Sequence, residues 1–243
     1  MPDFAIAESL TSARTHYCPG CGHGIIHRAL GEVIDEMGIH GDIIAVAPVG
    51  CAVIAYHYFN FDFTEAPHGR APAVATGMKR AAPDKIIMTY QGDGDLLAIG
   101  LAETIHAANR GEKITIIFVN NGIYGMTGGQ LAPTTLEGNK TLTTPDGRDP
   151  NEVGFPIDLM EMIKTFPGVK YLARGTVSNP GQVLRTKKYM KRALEVQQEN
   201  RGFSLVEILS TCPTYWGMSP GESLDYVQNV VAEQFKTGVF KDE

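Results

Sequence analysis

No stretch of this sequence is apolar for long enough to span a bilayer. Its first residues, MPDFAIAESL, lack the basic segment and apolar run of an export signal, so a cytoplasmic protein with no membrane partner is expected. Basic residues are in the minority, 21 Lys and Arg against 27 Asp and Glu, and a net charge of −6 offers no support for nucleic-acid binding. Repeats, low-complexity tracts and an interdomain linker are all missing, so residues 1–243 read as a single domain. Tryptophan occurs once and cysteine only four times. In a reducing compartment such cysteines stay reduced or bind metal. What remains is ordinary: with 43% hydrophobic and 20% charged residues, a chain of 243 residues can bury the core of one large α/β domain.

The most informative stretch runs from Ile86 to Gly125. Two apolar, β-rich runs, Ile86–Tyr90 and Ile114–Val119, have the continuous hydrophobicity of buried parallel strands. Each ends in a polar, glycine-rich turn, Gly92-Asp93-Gly94-Asp95 and Asn120-Asn121-Gly122. Between them Leu96–Asn109 has helical spacing and stops before Gly111. In a strand–turn–helix–strand unit both turns lie at the carboxyl edge of the sheet, where ligands of open α/β sheets bind. Asp93, the Asn121 carboxamide and the Ile123 carbonyl are hard oxygen donors of the kind Mg²⁺ prefers, completed by phosphate oxygens. The glycines admit a close approach, and a helix opening at Asp95–Leu96 offers free N–H groups to an anion. This reading places Asp93 in a surface turn. The plainer alternative is two tight turns with ordinary turn residues.

Along the rest of the chain, residues 1–16 read as an arm. A helix is predicted over Ile25–Met37, a strand over Asp42–Ala47, and a small-residue helix over Ala73–Ala82. Tyr56–Asp62 is aromatic-rich and suits an interface or a pocket wall. Leu131–Asn151 has no periodicity, and a loop of that length in a compact domain is usually functional. Further helices are predicted at Pro156–Phe166, Pro180–Asn200 and near Leu224–Phe235, with strands at Val169–Ala173 and Phe203–Leu209. The basic residues Arg185, Lys187, Lys188, Lys191 and Arg192 read as a solvated helix face. The predicted fold is therefore α/β, an open and mostly parallel sheet with helices on both faces.

The cysteines add a second signal. Cys18 and Cys21 are spaced as a metal or redox pair. Cys51 and Cys212 directly follow predicted strands, on the same edge as the two turns. Four thiolates suit zinc or a [4Fe–4S] cluster, and one close pair joined by two distant singletons looks more like a cluster. Cys51 and Cys212 as small buried hydrophobes is the alternative.

The GDGD and NN turns at this separation resemble the thiamine diphosphate motif. With the cysteines, the sequence resembles one family, the β subunits of 2-oxoacid:ferredoxin oxidoreductases. The residues that carry the likeness are Cys18-Pro-Gly-Cys21-Gly-His23-Gly, Gly50-Cys51, His68-Gly-Arg70-Ala, Gly92-Asp-Gly-Asp95, Asn120-Asn121, Tyr124-Gly-Met-Thr-Gly-Gly-Gln130 and Thr211-Cys212-Pro. The resemblance implies a subunit that binds thiamine diphosphate, Mg²⁺ and one [4Fe–4S] cluster. It implies Mg²⁺ on Asp93, Asn121 and Ile123, and the cluster on Cys18, Cys21, Cys51 and Cys212. Cofactor contacts are then expected from His23, Gly50, Gly92, Gly94, Asp95, Asn120, Gly125, Met126 and Thr127. The cluster-binding loop would span about residues 16–24, with a C-terminal extension from about 211 to 243.

The implied reaction is oxidative decarboxylation of a 2-oxoacid to an acyl-coenzyme A and CO₂, with electrons passed to ferredoxin. An α subunit would complete the thiamine site and supply the carboxylate that activates the pyrimidine ring, so no catalytic residue is assigned here. Gamma and ferredoxin-like delta subunits and soluble ferredoxin are the other implied partners. Ile54, His68 and Arg70 are the candidate substrate residues. The uncharged run Ala52-Val53-Ile54-Ala55 suits a branched-chain acid such as 2-oxoisovalerate, with 2-oxoglutarate second and pyruvate third. Two readings of other classes stand beside this one: a non-redox thiamine enzyme, and a non-catalytic cofactor-binding subunit.

Overall fold

The structure is a computed structural model that describes residues 6–243; residues 1–5, the start of the expected arm, lie outside the described residues. Strands β1 (Ile43–Ala47), β2 (Asp62–Glu65), β3 (Ile86–Gly92) and β4 (Thr115–Asn120) are joined in one sheet by β7 (Val169–Thr176), β8 (Phe203–Leu209) and β9 (Gly238–Asp242). The seven strands are ordered β2-β1-β3-β4-β8-β7-β9. All neighbours are parallel except β9, which runs antiparallel to β7. A separate small ribbon pairs β5 (Ile123–Tyr124) with β6 (Gln130–Leu131).

The strands alternate their side chains between two apolar layers, as the period of two requires. Met88, Tyr90, Ile117, Val119, Val206 and Ile208 face α1 (His23–Met37) and α6 (Pro180–Gln198). Ile87, Ile116, Phe118 and Leu205 face the opposite layer, built on α2 (Ala71–Ala81), α3 (Leu101–Arg110) and α5 (Leu159–Ile163). Because both faces are covered, every residue from Thr115 to Asn120 is buried. The remaining helices are the short α4 (Pro150–Val153) and α7 (Pro213–Trp216), and α8 (Pro220–Tyr226), which runs through a wider turn at Val227–Val231 into α9 (Ala232–Gln234). The chain leaves β1 toward β2 and β3 toward β4, in opposite directions along the sheet. That reversal opens a crevice at the carboxyl ends of β1 and β3.

Several expectations change. The helix expected over Leu96–Asn109 is two pieces: a wide turn at Gly94–Ile99, then α3 beyond Gly100. At the break Gly100 N donates to Asp95 O at 2.9 Å, five residues back, and the backbone of Gly69 packs closely on Ile99 and Gly100. The helical opening lies at Gly94, one residue before Asp95, with the Asp93 side chain capping the Gly94 N–H at 2.8 Å. Strands β2 and β9 were not expected, both being short edge strands with little apolar content. The helix at Pro156–Phe166 shrinks to α5, capped by Asp158. The last helix begins at Pro220, not Leu224, because Ser219 and Glu222 form a reciprocal capping box. The described part of the arm is tied down: Ser9 Oγ donates to Asp35 Oδ1 at 2.5 Å and Thr11 N to Tyr58 O at 3.0 Å.

His27 of α1 is buried in the first layer, its ring centroid 4.5 Å from that of Phe59 and its Nε2 3.2 Å from the Tyr17 hydroxyl. Its Nδ1 has no hydrogen-bond partner among the described residues. Burial, reinforced by the like charge of His23 and His16, holds its pKa well below the usual 6.5. Below pH 6.5 the unfolded chain takes up a proton at His27 that the folded chain refuses, so stability falls as pH drops and is fully present above that value. His27→Phe should flatten the pH dependence of the urea midpoint below pH 6.5, most visibly against wild type in the same buffers. An unchanged slope would mean that His27 titrates normally in the folded protein.

Candidate functional site

The crevice is a partly open cleft of about 650 Å³, counting the solvent space at its mouth. Its walls come from the segments that follow β1, β3 and β4, together with His23 and His68. Of the expected Mg²⁺ donors, Asp93, Asn121 and Ile123 all line it. Asp93 is not in a surface turn: it is 3% exposed, because the loop after β4 folds back over it. Its Oδ2 accepts from Thr134 Oγ1 at 2.8 Å, and burial pushes its carboxyl up to about 6 against the pull of those hydrogen bonds. No cation pairs with it among the described residues, so the carboxylate is a buried negative charge with only neutral donors.

Glycines shape the floor. A Cβ built on Gly50 or Gly92 would meet nothing within 4 Å and would project into the cleft, leaving a cradle for a close-lying group. Gly94 and Gly125 line the cleft for another reason. A Cβ on Gly94 would run into the Tyr124 ring, whose hydroxyl donates to Gly94 O at 3.2 Å. A Cβ on Gly125 would lie 3.2 Å from Cys51 Sγ and 3.4 Å from Cys212 Sγ. Gly125 is thus where the two distant cysteines close in on the cofactor turn.

The other two cysteines reach the same corner. The Cys18–Cys21 loop is pinned beside Cys212 by the Thr211 hydroxyl, which donates to Gly20 O at 2.7 Å. Burial pushes the Cys51 thiol up to about 11 and the Cys212 thiol up to about 12, and Cys18 and Cys21 add to both shifts through their charge. Among the described residues no three His, Cys, Asp or Glu side chains converge tightly enough to share a single metal ion.

His23, also in the wall, accepts or donates at Nδ1 to the Tyr90 hydroxyl at 2.7 Å and stacks on Tyr17. Burial first, then the charge of His16, pulls its pKa down to about 4, so the ring is neutral. Met126 and Thr127 border the opening, Met126 with more than half its surface exposed.

Four expected contacts are placed differently. Asp95 lines the cleft, but its carboxylate is occupied: Oδ1 takes His68 Nδ1 at 2.5 Å and Gly69 N at 2.8 Å, and Oδ2 takes Gln91 Nε2 at 2.6 Å. Its visible work is to hold the His68 turn. Asn120 faces away from the cleft, donating to Glu207 Oε1 at 2.7 Å, since alternation along β4 sends it to the side opposite Val119. Arg70 is tied to Glu103 and Ile99 O, outside the cleft, so it fixes its own loop. Ile54 does not line the cleft either. The turns at residues 50–57 carry it away, and Val49 and Ala52 provide the apolar wall instead. His68 does line the cleft, with its Nδ1 committed to Asp95.

Comparison with known proteins now bears on this geometry. The family described as thiamine pyrophosphate enzyme, C-terminal TPP binding domain, matches residues 48–208. The chain is 46% identical to ketoisovalerate oxidoreductase subunit VorA of Methanothermobacter thermautotrophicus, over 94% of this chain and 48% of that protein. It is 41% identical to 2-oxoglutarate synthase subunit KorB of Methanocaldococcus jannaschii, over 83% of this chain and 70% of that one. A 2-oxoglutarate:ferredoxin oxidoreductase from Magnetococcus marinus, solved with 2-oxoglutarate, coenzyme A and succinyl-CoA bound, superposes with a TM-score of 0.80 at 26% identity, over all of this chain and 86% of that one. The chain belongs to the 2-oxoacid:ferredoxin oxidoreductase β-subunit family. It carries that family's thiamine diphosphate-binding α/β domain, and it spans about half the length of the ketoisovalerate relatives it matches, 48%.

Sequence reasoning missed the residues that support this β subunit's motif from a distance. Glu207 on β8 receives both Asn120 and Arg174, the latter at 2.7 Å, and Arg174 also reaches Asp158 at 2.6 Å. Arg174 lies 5.1 Å from the Phe235 and Phe240 ring centroids. Burial pushes Glu207 up against the attraction of Arg174, whose own charge is held by Glu207 and Asp158. A charged residue in a run such as FSLVEIL is the one visible signal for it. Removing one partner of a buried pair strands the other, so Glu207→Ala should cost about 3–5 kcal/mol in chemical denaturation. A loss under about 1 kcal/mol, the range of an exposed pair, would show that Arg174 finds full compensation elsewhere.

Proposed function

We propose that this chain is the β subunit of a heteromeric, coenzyme A-dependent 2-oxoacid:ferredoxin oxidoreductase, binding thiamine diphosphate, Mg²⁺ and one [4Fe–4S] cluster. The observation that carries the reading is the shared edge: the oxygen donors Asp93, Asn121 and Ile123 line one cleft with Cys51 and Gly125, and Gly125 lies against the sulfurs of Cys51 and Cys212. The residues fit the groups. Gly50 and Gly92 leave room for a diphosphate, and Asp93 is a buried charge in want of a cation. Four thiols near enough to influence one another, one close pair joined by two distant singletons, suit a cluster in which each iron takes its own thiolate.

When bound, thiamine diphosphate supplies the carbanion chemistry that releases CO₂ from a 2-oxoacid, and the cluster accepts electrons singly. The chain's own residues prepare the place. Tyr124 locks the Gly94 turn, and Asp95 orients the His68 ring at the cleft wall. His23 presents a neutral imidazole, and Val49, Ala52 and Met126 keep the substrate end apolar. The carboxylates that line the cleft, Asp93 and Asp95, are both engaged, which supports an α subunit as the source of the pyrimidine-activating carboxylate. Gamma, delta and ferredoxin partners in the cytoplasm complete the proposal.

A branched-chain acid such as 2-oxoisovalerate is the favoured substrate. Neither Lys nor Arg is among the cleft-lining residues, so a distal carboxylate would be buried beside this chain without a counter-charge, at a cost of several kcal/mol. An aliphatic tail gains about 0.8 kcal/mol per buried CH₂ there. The likeness to 2-oxoglutarate enzymes keeps 2-oxoglutarate as the second reading, with the counter-charge from another chain. The test is to purify the native complex without air and assay a panel of 2-oxoacids with coenzyme A and a viologen dye. 2-Oxoisovalerate should turn over fastest; a preference for 2-oxoglutarate overturns the substrate, and no reduction with any 2-oxoacid overturns the activity. In the same preparation, Cys212→Ser should lower iron and sulfide from about four per chain. Unchanged iron would remove Cys212 from the ligand set.

A further inference from the structure

The aperiodic segment after β6 contains two adjacent threonines, each 1% exposed, that hold the two halves of the metal motif together. Thr134 Oγ1 donates to Asp93 Oδ2 at 2.8 Å, in the turn after β3. Thr135 Oγ1 donates to Gly122 O at 2.6 Å, in the turn after β4 and next to Asn121. The turn that carries them is closed by Ala132 N, which donates to Thr135 Oγ1 at 2.9 Å.

This turn has its own anchor. Arg148 is buried and has no carboxylate partner within salt-bridge distance among the described residues; its guanidinium donates instead to five backbone carbonyls. Nη1 reaches Ala132 O at 3.2 Å, Pro133 O at 3.0 Å and Thr135 O at 2.7 Å. Nε reaches Gly154 O at 2.8 Å and Nη2 Phe155 O at 2.7 Å. The planar fork therefore joins both ends of the loop and fixes the carbonyls on either side of Thr134. A lysine, with three donors on one atom, cannot reproduce that span.

We propose that Pro133-Thr134-Thr135, stapled by Arg148, is a positioning element of the Mg²⁺–diphosphate seat. Thr134 orients the Asp93 carboxylate, Thr135 sets the Asn121–Ile123 turn, and Arg148 keeps the two hydroxyls in register. The inference rests on the cofactor reading above. Hydrogen-bonded partners of metal ligands typically contribute roughly 10- to 100-fold to metal affinity.

The experiment is a Mg²⁺ titration of the metal-free native complex with thiamine diphosphate in excess, followed by cofactor fluorescence or calorimetry. It needs no turnover. Wild type should saturate and Asp93→Ala should not bind. Thr134→Val, which keeps the shape and loses the hydroxyl, should raise half-saturating Mg²⁺ roughly 10- to 100-fold, and Thr134→Ser should restore it to within roughly threefold. Arg148→Lys should also raise it, and hydrogen exchange of the cofactor-free protein should speed up at residues 132–136. Thr134→Val should leave that exchange unchanged. If wild type binds and Thr134→Val matches its half-saturation, the staple is wrong and the cofactor reading stands. Loosening of the loop in Arg148→Lys at unchanged Mg²⁺ affinity is equally fatal to the staple. If wild type binds neither Mg²⁺ nor thiamine diphosphate, both fall.

Discussion

Much of the carboxyl edge answers to one constraint, a buried carboxylate that no cation of the described residues pairs with. Asp93 is held by neutral donors, Gly94 N and Thr134 Oγ1 among them, and its burial drives the carboxyl toward neutrality. A charge in that state is costly in a low-dielectric setting unless positive charge arrives. The surrounding structure keeps the group in place regardless: the Gly94 turn is locked by Tyr124, the covering loop by Arg148, and the neighbouring strand by Asn120 on Glu207. Preorganisation here consists of neutral hydrogen bonds arranged around an incomplete charge.

The two asparagines of the NN turn divide the labour. Asn121 faces the cleft, while Asn120, one residue earlier, faces Glu207 and Arg174 on the far side of β4. A strand ending allows this, since successive side chains point to opposite faces. The same division separates Asp93 from Asp95. One is directed at the open cleft, and the other holds the His68–Gly69 turn, whose backbone in turn packs on the helix break at Gly100. Doubled motif residues are thus one ligand candidate and one brace.

The cysteine corner and the oxygen donors meet through a glycine. Gly125 lines the cleft with Ile123, Met126 and Cys51, and it lies against the sulfurs of Cys51 and Cys212. Any side chain there would force the sulfurs and the cofactor turn apart. On the proposed reading, the absence of a Cβ at this spot is what lets a cluster lie close to the thiamine diphosphate turn.

The amino-acid sequence alone determined the parallel strands other than β2, most of the helices covering them and the edge on which the two polar turns lie. These depend on local periodicity and on turn chemistry, which neighbouring residues express together. It also marked Leu131–Asn151 as a segment with a purpose, without saying which. Tertiary structure decided the rest. That Asp93 is buried, that Thr134 reaches it across 41 positions and that Glu207 meets Asn120 across 87 depends on which loops the sheet order brings together. Ile54 and Arg70 sit in a suggestive part of the chain, yet a tight turn and a glutamate on α3 take them out of the cleft. Hydrogen bonds of that range leave no period in the sequence, because their geometry exists only once the strands are in register.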